Sequence, residues 1–191
     1  MKITRVILPS DILSERLSAE NAALRVTDLI IKHLRKKNAS TAANPFGLPK
    51  TNYYAEAADT AQHEVHGNSF TVSVGTDSTD KDAPGRGIAL HYHGGTVYPT
   101  GGKKSIALPI DPAVAGIWPS EYDPTPKHEK TFVTPGGAIG EKETGKILYI
   151  LLPKATIPAD PTVLPTDDEI ADAATLGIGE VIEGEREMVR A

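Results

Sequence analysis

The sequence predicts an α+β fold: a mostly antiparallel β-sheet core, a long N-terminal helix packed on it, and a C-terminal helical tail. Three observations lead there. Apolar residues recur at helical spacing from about Ser10 to Lys37. The period switches to strict alternation at about Ser69. A capped helical pattern returns at Asp167, after a stretch spaced by prolines. The expected organisation is a single α+β domain over residues 1–158, with its sheet over about 69–152. A proline-rich connector and helical tail follow over 159–191.

In chain order, Pro9 and Ser10 give a helix start signal, and Leu13, Leu17, Leu24, Ile31 and Leu34 define one face. Lys32, His33, Arg35, Lys36 and Lys37 crowd the C-terminal end, where cations complement the helix dipole. Residues 38–49 read as a loop, and a short helix is expected over Thr51–Glu64, carrying Tyr53, Tyr54, Ala57, Ala58 and Ala61. Phe70, Val72 and Val74 alternate with Ser69, Thr71 and Ser73, as in a strand with one buried face. Further strands are expected near Ile88–His93, Thr96–Tyr98, Ser105–Ile110, Thr131–Thr134 and Lys146–Leu152, with a glycine turn at Gly94–Gly95. The Ile147–Leu152 run is the most apolar. It should be central, with Leu148, Ile150 and Leu152 on one face and Ile147, Tyr149 and Leu151 on the other. Asp111–Lys130, rich in proline and charge and holding Trp118, reads as a long, partly mobile excursion. Thr166 and Glu169 form a capping box at the start of the Asp167–Arg190 helix. Its apolar side is marked by Ile170, Ala174, Ile178, Val181, Ile182 and Val189.

Composition narrows the chemistry. The 191 residues include 17 glycines and 15 prolines, so turns and irregular segments are many. A formal net charge of −5 gives no electrostatic basis for sequence-specific nucleic-acid binding. Without cysteine, neither a disulfide nor a thiolate site is open to the chain. No apolar run approaches the roughly 18 residues of a membrane span. Together these point to a protein made in a cytoplasm, acting on no membrane.

Two histidines raise an enzymatic alternative. On a strand, His91 and His93 would point to one face and could hold a metal with His128 or Glu129, as in a cupin-like β-barrel enzyme. The pattern then departs: Gly94-Gly95-Thr96 follows where a cupin places a carboxylate. The pair therefore reads as polar residues of a sheet face, and His63 and His66 as solvated. Gly101-Gly102-Lys103-Lys104 and Thr134-Pro135-Gly136-Gly137 lack the spacing of a phosphate-binding loop and read as turns. No nucleophile elbow is present. The chain is expected to be no enzyme and to carry no cofactor and no metal.

Three blocks, taken in order, carry a family resemblance. The first is Asn44-Pro45-Phe46-Gly47 with Asn52-Tyr53-Tyr54-Ala55-Glu56-Ala57-Ala58. The second runs Tyr92-His93-Gly94-Gly95-Thr96-Val97-Tyr98-Pro99, Lys103-Lys104-Ser105-Ile106-Ala107-Leu108-Pro109-Ile110 and Ala113-Val114-Ala115-Gly116. The third is Gly145-Lys146-Ile147-Leu148-Tyr149-Ile150-Leu151, running into Ala155-Thr156-Ile157-Pro158-Ala159. The chain resembles the phage virion morphogenesis proteins, the tail-completion or neck proteins of Mu-like tailed phages. Ala159-Asp160-Pro161 departs from the family's usual exit. The resemblance implies a structural component of the head–tail junction, working in the virion after assembly in the host cytoplasm. Its implied partners are phage tail and head–tail connector proteins and copies of itself in a ring, with a monomer in isolation compatible. It brings no catalytic residue. Trp118, Tyr122 and Tyr98, with Ile170 and Ile178 of the tail, are the candidate partner-binding residues, because aromatic side chains and restrained loops suit interfaces.

Overall fold

A computed structural model describes residues 2–7, 15–42, 44–75, 87–125 and 127–190. The start signal at Pro9–Ser10 and Leu13 lie outside them. The elements run β1 (Lys2–Ile7), α1 (Glu15–Ser40), α2 (Tyr53–Ala58), β2 (Gln62–His66), β3 (Ser69–Ser73), α3 (Ile88–His93), β4 (Gly95–Val97), β5 (Ile106–Pro109), α4 (Pro119–Tyr122), β6 (Thr131–Val133), β7 (Ala138–Glu141), β8 (Ile147–Leu152), β9 (Ala155–Ile157) and α5 (Asp167–Arg190). Among the described residues every strand pairing is antiparallel, so the chain is α+β as its periodicity predicts. The strands divide among three sheets, ordered β1–β3–β2, β4–β9 and β5–β8–β7–β6.

Contacts group the chain into two compact units rather than one domain followed by a tail. Unit 1 takes residues 1–41, 52–94 and 158–191; unit 2 takes 42–51 and 95–157. The tail thus belongs to unit 1, because α5 lies along α1.

In unit 1 the core is small-residue helix against sheet and helix. Ala19, Ala22, Ala23, Val26, Ile30 and Leu34 of α1 are fully buried, with Phe70 and Val72 of β3 and Ala57 of α2. This stripe is rotated from the expected leucine face: Leu17 and Leu24 are exposed. Alanines let α5 come close, and Gly177 marks the contact. A Cβ there would lie 2.6 Å from the Asn21 carbonyl oxygen. Ile170, Ala174 and Val181 of α5 complete the core with Val163 and Leu164.

Two expected elements are corrected here. The helix over Thr51–Glu64 stops at Ala58, and Gln62–His66 is a strand joined to β3 by Gly67–Asn68. His63 and Val65 turn inward while Gln62, Glu64 and His66 face out, a period of two that cannot belong to a helix. Ile88–His93, expected as a strand, is helical. Ile88 and Tyr92, four apart, both pack on the core, and the Gly87 carbonyl accepts from the Leu90 and His91 amides. Gly94, at φ 72°, therefore ends a helix rather than turning a hairpin.

In unit 2 the four-stranded sheet buries Leu148 and Tyr149 under Val114, flanked by Ala107, Tyr122 and Ile139. β8 does not alternate as expected. Its pairing runs Ala138–Ile150, Ile139–Tyr149 and Gly140–Ile147, so Leu148 is the extra residue of a bulge. Ile147 consequently shares a side with Ile150 rather than with Tyr149. The Phe132 ring on β6 fills the space over Gly140, where a Cβ would lie 2.6 Å from its Cζ.

Candidate functional site

The histidine pair sits where no shared ligand sphere forms. Two residues apart on a helix are about 200° apart around its axis, so His91 and His93 leave α3 in different directions. His91 is half-buried, its ring 4.7 Å from that of Tyr53 and its Nδ1 3.4 Å from the Tyr54 hydroxyl. Burial holds its pKa below the ordinary histidine value. The same burial pushes the Tyr53 hydroxyl up to about 12. The His91 carbonyl accepts from the Asp160 amide, and Asp160 pairs with Lys37 of α1 at 2.7 Å, which holds its carboxyl below the usual range. His91 is thus a packing residue of unit 1. His93 is exposed, as are His128 and Glu129 in unit 2. His63, expected to be solvated, faces α1, with Nδ1 3.3 Å from Thr27 Oγ1 and Nε2 3.4 Å from Glu20. Among the described residues, no three His, Asp or Glu side chains gather as a metal ligand set.

The Trp118 loop of unit 2 has a different character. Its backbone is held at three places. Asp111 accepts from the Ala113 amide at 2.9 Å and caps the turn over Pro112–Val114. The Lys146 ammonium beside it keeps its carboxyl below the usual range. The Tyr149 hydroxyl donates to the Ile117 carbonyl at 2.9 Å, tying the residue before the tryptophan to β8. The Trp118 carbonyl accepts from the Glu121 and Tyr122 amides, while its own amide donates to the Glu121 carboxylate at 3.1 Å.

Asp123 closes the loop. It is only 1% exposed, and burial alone would raise its pKa. Its carboxylate accepts from the hydroxyls of Thr125 and Thr131 and from the amides of Lys130 and Thr131, which together bring it down to about 2. The excursion expected to be partly mobile is therefore tied down along the length the structure describes. What it displays is the indole. Trp118 remains 50% exposed, with Ile117 beside it and the Lys103 ammonium 5.5 Å above the ring centre.

The remaining candidates separate by burial. Tyr98 is 62% exposed, just beyond β4. Tyr122 is half-buried over the sheet, its hydroxyl donating to Glu141, and that bond pushes its pKa up to about 12. Ile170 is 4% exposed, and Ile178 packs against the same core. Both are covered by this chain's own helix and sheet, so neither is an outward anchor. Helical periodicity marks an apolar face but not what covers it. Lys103 and Asp123 were not anticipated. The run Asp123-Pro124-Thr125 carried a loop signal for the second; nothing local pairs Lys103 with a tryptophan fifteen positions away.

No family model matches the chain, and no curated protein or solved structure is significantly similar to it.

Proposed function

We propose that this protein is a structural component of a tailed-phage head–tail junction, a tail-completion or neck protein. It acts through protein–protein contacts in the virion and not as a catalyst. The observation that carries the proposal is the display of Trp118 on a braced loop. A half-exposed indole beside Ile117, held by the Asp111, Tyr149 and Asp123 hydrogen bonds, is a preorganised anchor. Such an anchor loses little entropy on docking, which suits a part that must seat between rigid assemblies. The ordered blocks from Asn44-Pro45-Phe46-Gly47 to Ala155-Thr156-Ile157-Pro158-Ala159, similar to the phage virion morphogenesis proteins, point the same way. Its partners on this reading are tail and connector proteins and further copies of itself. It is made in the host cytoplasm and carried in the particle.

The test is genetic. A tailed phage or prophage encoding the protein is given a Trp118→Ala allele, and purified particles are scored for the protein and for head–tail joining. The expected outcome is unjoined heads and tails with a melting temperature close to wild type. Normal yields of joined, infectious particles from a null allele would overturn the reading.

A further inference from the structure

The charges of this chain are unevenly divided. Unit 2 holds eight lysines against six acids, whereas α5 alone holds eight acids against two arginines. The α5 acids are also ordered in space. Asp168, Asp172, Leu176, Glu180, Glu183 and Glu187 follow one another at steps of three or four and are all exposed, so they form one outward stripe. Glu180 is taken by Arg25 of α1. Asp168, Asp172, Glu183 and Glu187 have no ion-pair partner among the described residues. In the middle of the stripe stands Leu176, 66% exposed, the most exposed of the large apolar side chains described.

Unit 2 carries the complementary surface. Trp118 and Ile117 are apolar and exposed, and Lys103 stands over the indole with Lys104 next to it, also exposed. Neither lysine has an ion pair among the described residues. The nearby Glu121 is committed to the Trp118 amide. The Trp118 patch is thus an apolar centre beside two exposed lysines and one carboxylate, the α5 stripe an apolar centre edged by carboxylates, and their net charges are opposite in sign.

We propose that the outward stripe of α5 docks on the Trp118–Lys103–Lys104 patch of a second copy of this chain. Leu176 packs against the indole, and Asp172 and Glu183 face the lysines. The two surfaces differ, so the contact is heterologous: each copy offers its patch to one neighbour and its helix to another. That geometry propagates into a ring or an open filament, and it gives the head–tail reading a specific subunit contact, on which reading it rests.

The experiment is a charge swap on the full chain. One variant carries Lys103→Glu and Lys104→Glu; the other carries Asp172→Lys and Glu183→Lys. Asp172 lies beyond the first helical turn, so reversing it leaves the end of α5 intact. Association is read by sedimentation over a range of concentrations in about 0.01 M and about 1 M salt. Wild type should associate with rising concentration and dissociate in high salt. Each variant alone should associate about tenfold more weakly or worse. An equal mixture should recover association, because the acidic patch of one then meets the basic helix of the other. That recovery also shows that both variants are folded. Leu176→Ala and Trp118→Ala should each weaken wild-type association without lowering the melting temperature. Wild type monomeric at every concentration, association unchanged by both reversals, or a mixture that fails to recover would overturn the pairing. Particle incorporation is scored separately. Association without incorporation defeats only the head–tail reading; incorporation with unaltered association in the reversed variants defeats only this contact.

Discussion

Asp123 does its work as a single carboxylate that organises a loop. Its oxygens take two hydroxyls and two amides, so Asp123→Asn replaces an acceptor with an amide group aimed at donors. The expected outcome is a melting temperature lower by several degrees, read by circular dichroism. The carboxyl should titrate at about 2. Because the folded value is depressed, its contribution is complete above the unfolded aspartate value of about 3.9 and is lost as the pH falls toward 2. Carboxyl-carbon NMR reads the titration directly. His91 makes a second residue-scale prediction. Burial lowers its folded pKa, so the unfolded chain binds the proton more readily. Stability from this group is full above about 6.5 and declines as the pH falls through the lower folded value. His91→Phe, which keeps a ring against Tyr53, should flatten that part of the wild-type stability curve in denaturant titrations. An unchanged slope would mean that the imidazole is not desolvated.

At the scale of elements, the α1–α5 contact makes opposite predictions for three glycines of one helix. In an exposed helix interior, glycine to alanine stabilises by up to about 1 kcal/mol. A Cβ on Gly179 or Gly184 meets nothing within 4 Å, so Gly179→Ala and Gly184→Ala should follow that rule. At Gly177 the same Cβ meets the Asn21 carbonyl oxygen at 2.6 Å and the Ala22 backbone at 2.7 Å. Backbone gives way only by separating the helices. Gly177→Ala should therefore destabilise by about 1–3 kcal/mol, as overpacking does. Urea unfolding of the three variants checks both signs. Equal effects at all three positions would mean that α5 does not lie this close to α1.

For the whole molecule, two truncating changes are expected to behave differently. Removing residues 159–191 takes away the buried Val163, Leu164, Ile170 and Val181. Each large apolar side chain contributes about 1.5–3 kcal/mol on burial. Four of them approach the whole stability of an ordinary domain, about 5–15 kcal/mol. Truncation after Pro158 should leave unit 1 unfolded by circular dichroism, not merely deprived of a binding tail. Trp118→Ala removes a half-exposed side chain and should leave the melting temperature nearly unchanged. A stable, cooperatively melting truncation would contradict the packing of α5 into unit 1.

What the sequence by itself determined were the features written in local periods. Alternation at Ser69–Ser73, the 3.6-residue pattern of α1 and the Thr166–Glu169 capping box all reappear, the box with the Glu169 carboxylate on the Thr166 amide at 2.8 Å. Local chemistry suffices there, because each signal is completed within one or two turns of chain. The tertiary structure decided what lies opposite. Leu17 and Leu24 face outward because α5 selects the alanine side of α1. Ile88–His93 winds as a helix because Ile88 and Tyr92 must reach one core, and that removes the shared face on which a His91–His93 metal site depends. Ile170 and Ile178 are internal because their partners lie far away along the chain, on α1. Trp118 stands at the surface because Val114 and Tyr122 cover the sheet in its place. A periodic pattern states that a face is apolar; only the packing of distant segments states whether that face is filled by the chain itself or left for another molecule.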